Sequence, residues 1–120
     1  MSQVPQLRAP GVILAEQAEH LAFLATERTY DRQPELWEMG EHGRARTLED
    51  FGHHFRALAR GATAFEAHVD YCYELFTSRS FPLRWLDDAW QTMREVCAEE
   101  LDGEALETSL DTLALVEGRA

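Results

Sequence analysis

Five histidines and two cysteines are the nitrogen and sulfur donors this chain could offer to a metal, and two of the histidines are adjacent. Glu49 with His53 and Asp50 with His54 are each four residues apart. That spacing brings two side chains to one side of a helix, so Glu49, Asp50, His53 and His54 could present oxygen and imidazole ligands to a borderline cation. Glu16 and His20 repeat the spacing nearer the N-terminus. A di-iron carboxylate bundle, however, needs a Glu-x-x-His motif on each of two helices, and the chain has none. A helix would also set His53 beside Arg56 and Arg60, whose charges oppose a cation. The expectation is therefore of surface ion pairs with no metal and no other cofactor, the four residues being the metal set of the alternative reading.

His68 stands beside an apolar stripe and could ligate a haem or other cofactor, but a boundary histidine bonded to a neighbour is the plainer expectation. Cys72 and Cys97 are 25 positions apart and fall on apolar stripes, which predicts buried, reduced thiols. Neither has the electropositive setting that activates a thiolate, and no G-x-S-x-G elbow or Gly-rich phosphate loop occurs. All 11 basic residues are arginine, which excludes Schiff-base and lysine-nucleophile chemistry. No catalytic residue is assigned, and an enzyme is not expected.

These side chains need helices to place them. Residues 81–101 carry Leu83, Leu86, Trp90, Met93, Cys97 and Leu101 at spacings of three or four, one face of a helix, with Ser80 as its N-cap and Pro82 in its first turn. A loose lead-in over residues 1–10 precedes a first helix from Gly11 to about Arg28, and the domain runs over residues 11–118. Asp31 to Pro34 ends that helix. A second pattern covers residues 35–60, with a break expected near Gly40 and Gly43 and a capping pair at Thr47 and Asp50. Thr63 and Glu66 form a capping box for a third helix ending near Ser78. Leu106, Leu110, Leu113 and Val116 carry a last helix after the Asp102–Gly103 turn, and Gly118 closes it. No strand pattern appears. The fold class is all-α, a bundle of four to six helices with antiparallel neighbours.

Eleven basic against 22 acidic residues give a net charge of −11, which repels nucleic acid and anionic lipid. No stretch approaches the roughly 20 apolar residues that span a bilayer, and the N-terminus lacks an apolar signal core, so a cytoplasmic protein is expected. The charge is uneven, −2 over residues 1–60 and −9 over residues 61–120. The strip Asp87, Glu95, Glu99 and Asp102 is thus a candidate face for a basic protein partner. Trp85 and Trp90 are five residues apart, about 140° around a helix, so one face cannot bury both. With Tyr73 they are candidates for an interface, since tryptophan and tyrosine are favoured at hot spots.

The stretch Leu75, Phe76, Thr77, Ser78 and Arg79, the link Ser80 to Leu83, and then Trp85, Leu86, Ala89, Trp90, Met93 and Val96 resemble one helical family. It is that of the N-terminal module of the stress-response phosphatase RsbU and the C-terminal domain of the circadian-clock protein KaiA. The resemblance covers about a third of the chain and implies a bundle that forms a homodimer, binds a regulatory partner and catalyses nothing. The segment around Trp37 has no counterpart there, and no binding residue is carried over. The expected function is a regulatory or adaptor domain in signalling, the alternative a helical sensor for a metal, haem or small molecule.

Overall fold

The computed structural model describes residues 8–119, so most of the expected lead-in lies outside the described residues. Helix α1 spans Pro10–Arg32, with the proline in its first turn where a missing N–H costs no bond. It runs one turn past Arg28: the amide of Gln33 still donates to the Thr29 carbonyl at 3.0 Å, and Pro34 then stops it. A short 3-10 segment, Pro34–Met39, leads into α2, Gly40–Ala59. The break falls at Gly40, whose φ of 70° suits glycine, while Gly43 is carried inside α2. Thr47 therefore starts nothing, and its hydroxyl donates to the Gly43 carbonyl one turn back at 3.1 Å.

Gly61, with φ 105°, turns the chain into α3, Ala62–Ser78. The helix begins before Thr63, so the expected capping box does not form. The α3–α4 link places Ser80 at φ 57° and α4 at Arg84–Glu100, leaving Ser80 too far upstream to cap it. Helix α5, Gly103–Ala114, follows an extended Asp102. The protein is thus an all-α bundle of five α-helices and one 3-10 segment, with no strand among the described residues and no helix long and apolar enough to cross a membrane.

Leu14, Ala18, Leu21, Ala22 and Ala25 make the buried stripe of α1, small enough for α2 to lie close along it. A Cβ on Gly11 would come within 2.6 Å of the Ala59 carbonyl oxygen, so the start of α1 meets the end of α2. Arg44 bonds Glu27 at the opposite end, making the two antiparallel. Helix α4 crosses the other side of α1, where Arg32 grips Glu95 through both guanidinium nitrogens at 2.6 and 2.8 Å and Arg28 holds Glu99. That hydrogen-bonded clamp holds the Glu95 carboxyl below the usual carboxylate range. Phe55, Phe65, Met93, Val96 and Leu113 fill the centre.

The molecule is elongated, 59 × 27 × 18 Å, with a radius of gyration of 15.3 Å. A compact chain of this length would have about 13–14 Å. Helix α3 reaches the body through α2 and through side chains from α4, which leaves a long opening between them.

Candidate functional site

The opening is a cleft of about 960 Å³ walled by α2, α3 and α4, with the 3-10 segment at one end. Its floor gathers three residues from two helices. His54 shares the inward face of α2 with Phe51, Phe55 and Leu58, while His68 and Cys72 follow Phe65 by three and seven residues on α3. His54 Nδ1 lies 2.8 Å from His68 Nε2, and Cys72 Sγ lies 3.5 Å from that same nitrogen. All three ligating atoms fall within 4.8 Å of one another.

The His54 imidazole is caged by aromatic rings. Trp90 meets it at 4.8 Å between centroids, His68 at 5.0 Å and Phe51 at 5.9 Å, all edge-to-face. Burial makes protonation costly there and pulls its pKa down to about 3, with His68 and His53 adding repulsion. His68 is lowered for the same first reason, with charge from His53 and Arg60 added. Burial pushes the Cys72 thiol up to about 11, helped by the Asp50 charge, and Cys97 to about 12. Both cysteines are free thiols.

The sequence-derived metal set does not assemble. His53, one residue from His54 and about 100° around the helix, is exposed and sits 3.6 Å from Glu49 and 3.2 Å from Arg56. Asp50 opens onto the cleft, where the walls desolvate it enough to raise its pKa although the side chain stays exposed. Only His54 of the four reaches the floor. Glu16 and His20 are drawn apart, Glu16 to Arg8 and His20 to Glu100 at 3.0 Å.

No protein-family model, curated protein or solved structure matches this chain.

The residues expected at an interface divide between interior and surface. Trp90 is only 3% exposed: it packs on His54 and Phe65, and its Nε1–H donates to the Tyr73 hydroxyl at 3.2 Å. That hydroxyl donates in turn to Asp87 at 2.7 Å, a three-member chain that ties α3 to α4. Burial and this bond raise the Tyr73 pKa to about 12. Glu95 and Glu99 are engaged by α1, and Asp102 stands exposed before α5. Tyr73 is half-buried, and Trp85 is the exposed one of the aromatic candidates, 44% exposed at the cleft mouth and stacked obliquely on Phe81 at 6.0 Å.

Arginine placement supplies a feature that spacing alone does not reveal. Arg8, Arg28, Arg32, Arg44, Arg94 and Arg119 are paired with carboxylates. Arg46, Arg56, Arg60, Arg79 and Arg84 form no ion pair among the described residues, and all of these but Arg84 line the cleft. The acids lining it are Asp50 and Asp88. A chain of net charge −11 thus turns a locally positive, aromatic-rimmed hollow toward solvent.

Proposed function

We propose that this protein is a non-catalytic regulatory module that senses an amphipathic organic anion, an apolar or aromatic body bearing a carboxylate or similar group, in the α2–α3–α4 cleft. The supporting observation is the gathering around one apolar hollow of four arginines that form no ion pair among the described residues. Low-dielectric walls focus such charge, and guanidinium forks match carboxylate geometry. The volume of about 960 Å³ lies within the usual range for small-molecule sites. Phe81, Trp85 and Leu75 supply apolar wall, while the arginines select the sign of the charge.

Titration with an anilinonaphthalene sulfonate is expected to give saturable fluorescence enhancement that decanoate competes away. Arg60→Ala and Arg79→Ala should each weaken the probe by about tenfold, the loss of one charge-assisted hydrogen bond. Equal affinity for a cationic dye of the same size would overturn this reading.

A second reading keeps the homodimer. Tyr71, Phe81 and Trp85 are exposed around the same mouth, an apolar rim that a second copy could cover, and dimerisation is what the resemblance to the RsbU and KaiA modules implies. Sedimentation equilibrium is then expected to show a dimer that Trp85→Glu converts to monomer. A monomer at high protein concentration eliminates the reading.

A further inference from the structure

We propose that His54, His68 and Cys72 form a binding site for a borderline-to-soft d10 cation of the Zn²⁺ kind, set at the floor of the cleft with one coordination position open toward it. This goes beyond the anion reading and is independent of it.

The donor set is two imidazoles and a sulfur, the ligand types that zinc prefers over the oxygen donors of magnesium or calcium. Tetrahedral coordination with zinc–nitrogen and zinc–sulfur bonds of ordinary length separates two nitrogens by about 3.3 Å and a nitrogen from a sulfur by about 3.6 Å. The chain already holds His68 Nε2 at 2.8 Å from His54 Nδ1 and at 3.5 Å from Cys72 Sγ. Insertion of the cation therefore requires the imidazoles to part by about half an ångström and the third pair, His54 with Cys72, held within 4.8 Å, to close toward about 3.6 Å, movements that side-chain torsions supply. Two ligands come from one helix at i and i+4 and the third from its neighbour, so the backbone fixes all three.

The proton balance is explicit. In the metal-free site the close pair of ring nitrogens shares one N–H, the imidazole that carries it donating to the other. Moving that proton to the far nitrogen of its own ring frees both facing lone pairs with no net change. The Cys72 thiol gives up one proton to solvent as its sulfur takes the metal. Charge around the site is mixed: Arg60 and Arg56 line the cleft, and Asp50, one turn before His54, brings the compensating carboxylate. Three ligands leave a fourth position, as in zinc sites that take water or substrate.

Co²⁺ added to the reduced protein is the test. The expected result is a thiolate-to-cobalt charge-transfer band that saturates at about one metal per chain, is displaced by Zn²⁺ and is accompanied by release of about one proton. Cys72→Ser should abolish the band. His68→Gln, at a half-buried position that need not disturb folding, should weaken Co²⁺ at least tenfold, a floor set by the roughly 10- to 100-fold cost of losing outer-shell partners. Cys97→Ser and His53→Gln should leave it unchanged. Absence of the band in the wild type, its survival in Cys72→Ser, or its loss in Cys97→Ser would overturn the site.

Discussion

Replacing Trp90 by alanine should cost about 3–5 kcal/mol of folding stability, a large share of what a domain of this size possesses. The indole is 3% exposed and touches Phe65 of α3 and His54 of α2, while its N–H anchors Tyr73. Its removal opens a cavity where three helices meet and leaves the Tyr73 hydroxyl with one partner fewer. Trp90→Phe separates the two effects, keeping most of the packing and losing the hydrogen bond, for a cost nearer 1 kcal/mol from the bond itself. Trp85→Ala, on the exposed side of the same helix, should stay within about 0.5 kcal/mol. Urea midpoints of the three variants check the ranking. A Trp90→Ala protein as stable as Trp85→Ala would mean that the α3–α4 contact does not hold the fold together.

The second large effect is a loss of stability in mild acid, measured with a chelator present so that no metal contributes. His54 has a pKa of about 3 when folded and about 6.5 when unfolded. Between those values the unfolded chain binds a proton that the folded chain refuses, so stability falls as pH drops through that window and is fully present above it. The groups that set this are the burial of the ring against Trp90 and Phe51, the neighbouring His68, and His53 on the outer face of α2. Each pH unit well inside the window is worth up to about 1.4 kcal/mol, and the whole on the order of 5 kcal/mol. His68, lowered in the same direction, steepens the decline. Urea midpoints between pH 7 and pH 5, above most carboxylate titrations, should slope downward for the wild type and less so for His54→Gln. Parallel slopes would show that His54 is protonated as readily in the folded state as in the unfolded one.

The inward position of His54 could be read from spacing, because it stands three residues after Phe51 and four before Leu58, on the stripe with Phe55. His68 and Cys72 are likewise an i, i+4 pair on the stripe of Phe65 and Val69. What spacing could not convey is that these two stripes face each other across α2 and α3 at a level that brings the three donors together. Glu49 and His53 satisfied the same i, i+4 rule as Asp50 and His54, yet the rule orients side chains relative to their own helix and not relative to its neighbours. Angle alone separates the tryptophans of α4, since five residues turn the helix too far for one face to bury both; of the two interface candidates, the packing sends Trp90 inward and leaves Trp85 outward.

The acidic strip illustrates the reverse case. Glu95 and Glu99 look available in a half-chain of net charge −9, but α1 lies antiparallel to α4 and brings Arg28 and Arg32 against them. Four other arginines, scattered between positions 46 and 79, converge on one cleft.

Taken alone, the order of residues determined the helices and their inward faces, because apolar periodicity and the dihedral limits of proline and glycine act within a few residues. It was enough to specify an all-α bundle and to divide Trp85 from Trp90. The tertiary structure alone decided which faces meet, and with that the His54–His68–Cys72 cluster, the arginine-lined cleft and the pairing of Glu95 and Glu99 with α1. Contacts between helices depend on crossing geometry and on which charges find partners, and those are properties of the assembled bundle that no local spacing encodes.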